Sequence, residues 1–96
     1  MKAFNLNNYI LVRLKMKGYQ RLADIHNSYL NRIPNWEKRD AEYYERQADH
    51  NGYSKFQAWS FMEYFGPVTS LGFDQLYYTT ILIDDKDLEP VSAVGV

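Results

Sequence analysis

The chain is expected to be an α+β protein: a small antiparallel sheet from strands near its N- and C-termini, packed against three helices in the order β-α-α-α-β. Three observations lead there. Apolar residues alternate with a period of two from Tyr9 to Met16, and a β-branched and aromatic run extends from Tyr77 to Asp84. Between these stretches apolar residues recur at spacings of three and four. The length of 96 residues is one domain's worth of chain, too little for a second core. The domain is expected over residues 1–88, with 89–96 as a flexible tail.

In the first strand Ile10, Val12, Leu14 and Met16 share one face, and Tyr9, Leu11, Arg13 and Lys15 the other, whose charged end meets water. Gly18 breaks the strand pattern. Tyr19, Leu22, Ile25, His26, Tyr29, Leu30 and Ile33 then mark one side of an amphipathic helix. Pro34 terminates it, because the residue before a proline is disfavoured in helical backbone. Asn35 is the expected N-cap of a second, charged helix over Trp36–His50, from which a stripe of Trp36, Tyr43 and Tyr44 reaches the core. Asn51-Gly52 closes it as a turn.

Ser54 and Gln57 have the spacing of a capping box, in which Ser54 bonds the Gln57 amide and Gln57 reaches back. The third helix carries Phe56, Trp59, Met62 and Phe65 as its apolar stripe, and Gly66-Pro67 ends it. Residues 67–76 read as loop. The terminal strand puts Tyr77, Thr79, Ile81 and Ile83 on one face. The expected core joins Ile10, Val12, Leu14, Leu22, Ile25, Tyr29, Phe56, Trp59, Met62, Phe65, Ile81 and Ile83.

Composition excludes several classes. No apolar run is long enough for a membrane span, and the N-terminus lacks the apolar stretch of a signal peptide. The absence of cysteine removes disulfides, thiolate zinc sites and cysteine nucleophiles, and fits a reducing compartment. The net charge of −1 names no partner, but its distribution is uneven. Residues 1–55 carry ten basic and six acidic groups, whereas residues 56–96 carry one basic and six acidic.

Catalysis finds little to work with. His26 and His50 are the only imidazoles; both read as structural, and Asp24 and His26, two apart, do not face each other on a helix. The acidic run Asp84, Asp85, Asp87 and Glu89 matches no metal-loop motif and reads as a solvated exit from the strand. No glycine-rich phosphate loop is present. The expectation is a protein that is not an enzyme and has no cofactor, metal or catalytic residues.

Binding is better represented. Arg13, Lys15, Lys17 and Arg21, interleaved with Tyr9 and Tyr19, are the candidates for nucleic-acid contact, since cations meet phosphates and aromatics stack on bases. The alternative pairs Arg13 and Lys15 with acids of the terminal strand around Asp84. The sequence has 16 aromatics, 17% of the chain, and tyrosine is enriched at interfaces because it buries area while keeping a polar tip. Tyr43, Tyr44, Arg46 and Tyr78 are therefore the candidates for a protein interface.

Three stretches carry a resemblance. They are Asn5-Leu6-Asn7-Asn8-Tyr9-Ile10 leading into Val12-Arg13-Leu14, the block Asp49–Gly52 with Tyr53-Ser54-Lys55-Phe56-Gln57-Ala58-Trp59, Met62 and Phe65-Gly66-Pro67, and Thr80-Ile81-Leu82-Ile83. The similarity around them extends over about two-thirds of the chain, and the chain resembles small uncharacterised accessory proteins of bacteriophage and prophage genomes. Ala58 replaces a larger apolar residue, Met16 a capping hydroxyl, and Trp36–His50 enlarges a shorter connection. The resemblance implies a phage origin and a host cytoplasm, and brings no activity with it.

The expected function is that of a non-enzymatic phage-encoded protein occupying a host protein surface, as inhibitors of bacterial defence systems such as anti-CRISPR proteins do. The alternatives are a nucleic-acid-binding accessory protein and a small oligomer that sequesters a nucleotide signal through tyrosine stacking and arginine–phosphate pairs. A homodimer is expected, because a two-stranded sheet with open edges is marginal alone; the competing form is a monomer covered by its own tail.

Overall fold

The computed structural model describes residues 1–69 and 76–91. The elements in order are Lys2–Phe4 (β1), Tyr9–Leu14 (β2), Met16–Asn27 (α1), Ala41–Arg46 (α2), Tyr53–Gln57 (β3), Ala58–Phe65 (α3), Tyr77–Ile83 (β4) and Leu88–Pro90 (β5). Short 3₁₀ turns occupy Gly66–Val68 and Asp85–Asp87. The class is α+β, with three helices and antiparallel pairing between strands from the two chain ends.

The sheet is larger than alternation alone indicated. β2 is the middle of three antiparallel strands in the order β3-β2-β4, and β1 pairs with β5 in a second sheet. Register places Ile10 beside Phe56 and Ile83, and Val12 beside Ser54 and Ile81. Glu89 and Pro90, expected in a flexible tail, end the strand that pairs with Lys2 and Ala3. Residues 92–96, and 70–75 of the expected loop, lie outside the described residues.

The capping box is not formed. Ser54 to Gln57 alternate between the two sheet faces as strand, because β2 offers a free edge whose ladder satisfies more backbone groups than one local cap. α3 starts at Ala58 without a side-chain cap; its Ala58 and Trp59 amides donate to the carbonyls of Asn8 and Leu6 (2.9 and 3.1 Å). That anchorage sets the rotation of the helix. Ala58, Phe61 and Phe65 face inward, so the expected burial of Phe65 holds, whereas Trp59, at 45% exposed, and Met62 turn outward and Phe61 takes their place.

The first two helices are shorter than expected. α1 ends at Asn27, where Asn27 and Ser28 side chains bond backbone groups, and turns continue to Asn35. Asn35 has a left-handed φ of 63° and caps nothing. α2 is capped by Asp40, whose carboxylate accepts from the Tyr43 amide at 2.8 Å. The expected turn at Asn51-Gly52 is present, with Asp49 Oδ1 accepting from the Asn51 and Tyr53 amides.

The core is Ile10, Val12, Leu14, Tyr19, Leu22, Ala41, Ala58, Phe61 and Phe65. Phe65 is fully buried, its ring centroid 5.0 Å from Phe61 and 5.8 Å from Tyr77. Tyr29, Ile81 and Ile83 were expected in this core and are exposed. The two isoleucines lie on the edge strand, while the helices pack over β2 and β3. Gly18 is a packing residue inside α1, and a Cβ there would collide with the Leu76 carbonyl oxygen.

Two expected outcomes follow from this packing, both read by urea unfolding. Phe65→Ala loses about 3–5 kcal/mol, whereas Trp59→Ala loses under about 1 kcal/mol. Gly18→Ala loses about 1–3 kcal/mol through overpacking, although helix propensity alone favours alanine by about 1 kcal/mol.

Candidate functional site

Two surfaces gather the polar and aromatic side chains. The first is the outer face of the three-stranded sheet, formed by the side chains that alternate away from the core. β2 contributes Tyr9, Leu11 and Arg13, β3 Tyr53, Lys55 and Gln57, and β4 Tyr78, Thr80 and Leu82. None of these positions is acidic.

On this face each tyrosine lies under a cation. The Arg13 guanidinium is 4.6 Å from the Tyr78 ring centroid and 5.7 Å from that of Tyr53. Lys15 Nζ stands 5.0 Å from Tyr78, and Lys55 Nζ 4.6 Å from Tyr9. Such contacts are worth about 0.5–1 kcal/mol at exposed sites and hold long side chains against the sheet. A hollow of about 430 Å³ lies between Tyr9, Leu11, Lys55 and Leu82, with Asp84 and Asp87 at its far end.

The pairing of Arg13 and Lys15 with acids around Asp84 is overturned by the register. Ile83 lies beside Ile10 and Tyr77 beside Leu14, so Asp84 falls at the Tyr9 end of β2, roughly 13 Å along the strand from Arg13. Asp84 is turned to its own neighbours, accepting from the Lys86 amide at 3.0 Å and lying 3.8 Å from Lys86 Nζ.

Of the other basic candidates, Lys17 is exposed in the first turn of α1. Arg21 is half-buried, with its Nε donating to the Tyr64 carbonyl of α3. The structure thus brings Arg13 and Lys15 together over Tyr78 and sets Arg21 to another task. Lys55 and Tyr53 escaped the sequence reading because the capping box claimed their segment; the alternation through Tyr53-Ser54-Lys55-Phe56-Gln57 was the signal that could have found them.

The second surface is a cleft of about 660 Å³ between α1, the segment before α2, α2 itself, and the β3–α3 unit. Its wall between the first two helices is tied down by side chains. Asn27 donates to the Arg39 carbonyl (2.7 Å) and accepts from the Arg39 amide (2.8 Å). Trp36 Nε1 donates to the His26 carbonyl at 2.7 Å, the indole stacks on the His26 ring at 4.6 Å, and His26 Nε2 lies 2.6 Å from the Glu37 carbonyl oxygen.

Tyr43 and Tyr44 meet edge to face at 5.1 Å and are half-buried in this cleft. Their cation is Arg39, not the expected Arg46. The Arg39 guanidinium sits 4.4 Å from the Tyr43 ring centroid and donates from Nη1 to the Tyr44 hydroxyl at 3.3 Å. That hydrogen bond is the main cause holding its pKa above the ordinary arginine value. Arg46 is exposed in the last turn of α2 and touches neither ring.

Behind the cleft, Ser54 is 8% exposed and its hydroxyl has no hydrogen-bond partner among the described residues, though it lies near enough to Tyr19 to pull that phenol's pKa down. Burial, followed by the charge of Glu45, outweighs Ser54 and raises the Tyr19 pKa above 10.0. The folded state therefore holds the phenolic proton more tightly than the unfolded chain. This contribution to stability is complete below the unfolded value and is lost as pH rises through the folded one. In urea titrations above pH 10, Tyr19→Phe is expected to flatten the alkaline fall in stability relative to the native chain.

Among the described residues no helix is long and apolar enough to cross a membrane, and no group of three or more His, Asp and Glu is placed to hold a metal ion. Comparison of the chain with protein-family models, with curated proteins and with solved structures finds no match.

Proposed function

We propose that this is a non-enzymatic binding protein that uses the outer face of its three-stranded sheet to occupy an acidic surface on a host protein. The phage origin and the host cytoplasm in this reading rest on the resemblance carried by the Gly52–Pro67 block. In that setting the activity is inhibition of a bacterial defence component by stoichiometric contact, as anti-CRISPR proteins act. The observation that supports it is the set of tyrosines under Arg13, Lys15 and Lys55 at strand positions without an acid. Tyrosine and arginine are the residues that interfaces favour, and a cation held on a ring loses little freedom when it meets a carboxylate.

The same reading includes a homodimer joined along β4. This strand is seven residues long, carries neither proline nor charge, and is exposed on both faces at Tyr78, Ile81, Leu82 and Ile83. Among the described residues no strand pairs with its outer edge. Such an edge is a template for a second strand, and antiparallel pairing about a two-fold axis closes it. One three-stranded face is only about 300 Å² in plan; six strands side by side make about 600 Å², closer to the ~800 Å² per partner of a stable interface.

Light scattering is expected to give twice the mass of one chain, and Thr80→Lys, which places a charge on the edge, to give the monomer. A pull-down from bacterial lysate is expected to retain an acidic protein on the native chain and to lose it with Arg13→Glu plus Lys55→Glu. Recovery of nucleic acid instead, lost as salt rises, is the outcome that rejects the reading. Three cations per chain, doubled in the dimer, limit the logarithmic salt slope of such binding to about −5.

A further inference from the structure

The cleft beside Arg39 lies on the helix-covered side of the sheet, meets the face assigned to a protein partner only at Lys55 of the edge strand β3, and has a different chemistry. Its walls are aromatic: Tyr29 and Trp36 on one side, Phe56 and Tyr64 on the other, with Tyr43 and Tyr44 at the Arg39 end. The charged groups along it are Arg39 and Lys55 against Glu63. Its volume of about 660 Å³ falls within the roughly 300–1,000 Å³ of small-molecule sites.

Arg39 is built as a receptor. Asn27 clamps its backbone by donating to the carbonyl and accepting from the amide, its guanidinium lies 4.4 Å from the Tyr43 ring centroid, and the Tyr44 hydroxyl accepts from one of its five N–H groups. Among the described residues no carboxylate lies within 4.0 Å of it. A planar fork held still beside aromatic walls, with four donors unspent, is matched by an anionic group attached to a flat ring. These contacts restrict Arg39 before a ligand arrives, which lowers the ordering cost of binding.

We infer that this cleft binds a free nucleotide, with the phosphate on Arg39 and the base stacked against the aromatic wall that includes Trp36. The two halves of the ligand answer two halves of the site. Base stacking on aromatic side chains is tolerant of which base is present, so recognition of the phosphate at Arg39 is the more selective contact.

The test uses the fluorescence of Trp36 in the full chain carrying Trp59→Phe, which removes the exposed second indole. Adenosine, guanosine, cytidine and uridine 5′-monophosphates are titrated to about 1 mM, beside the matching nucleosides and inorganic phosphate. At least one monophosphate is expected to quench Trp36 saturably, with its nucleoside and phosphate each weaker by about tenfold or more. Arg39→Gln is expected to reduce that affinity by about tenfold, and Arg39→Lys, which keeps charge but not the fork, to restore only part of it. Circular dichroism verifies that each variant is folded. The inference is overturned if no monophosphate binds in this range, if the nucleoside binds as well as the nucleotide, or if folded Arg39→Gln binds as tightly as the native chain. None of these results alters the pull-down when it is repeated with Arg13→Glu alone, since Arg13 does not line the cleft.

Discussion

The fold hangs on the double pairing of β2. Its backbone is hydrogen-bonded on one side to β3 and on the other to β4, so it joins a segment from the middle of the chain to one near its end. Its inner side chains Ile10, Val12 and Leu14 are all buried, with Val12 at 0% exposure. Because the side-chain period of a strand is two, burying that row commits Tyr9, Leu11 and Arg13 to the other face. The same register sets Phe56 beside Ile10 and places Arg13 against Tyr53 and Tyr78. Core and outer face are two consequences of one alignment.

Aromatic residues serve this small chain in two ways. Phe56, Phe61, Phe65 and Tyr77 form one cluster with ring separations between 4.9 and 6.1 Å, giving much buried area from few residues. Apart from Tyr19, which is buried in the core, the remaining tyrosines and Trp36 are only partly covered, and cations or polar groups complete the surroundings of several of them. Arg13, Lys15, Lys55, Arg32 and Arg39 each lie over a tyrosine ring. In a protein with almost no net charge, this concentrates positive potential at two places without a basic composition.

The segment between α1 and α2 shows how a stretch without regular structure becomes a wall. Its order comes from side chains reaching the backbone: Asn27 to Arg39, Trp36 to His26, and His26 beside the Glu37 carbonyl. These bonds take the place of the helix expected there and fix Arg39 over Tyr43. The segment was read as an enlarged, charged helix because its composition is that of a solvated helix face; hydrogen bonds between residues ten to twelve positions apart leave no periodic trace in a sequence.

What the sequence by itself determined was set by period and by local chemistry. The α+β class, the strands at Tyr9 and Tyr77, the burial of Ile10, Val12 and Leu14, the Asn51-Gly52 turn and the gathering of Tyr43 with Tyr44 all follow from spacings within a few residues. Only the tertiary structure decided that Tyr53–Gln57 is a strand, that α3 turns Phe61 inward and Trp59 out, that Arg13 and Lys15 lie over Tyr78 far from Asp84, and that Arg39 rather than Arg46 serves the tyrosine pair. The physical reason common to these cases is that the deciding contacts join residues distant in sequence, and the clearest is the β3 segment. Ser54 and Gln57 carry a local signal for a helix cap, but a neighbouring strand edge satisfies more backbone hydrogen bonds than a cap can, and that edge is supplied by residues more than forty positions away.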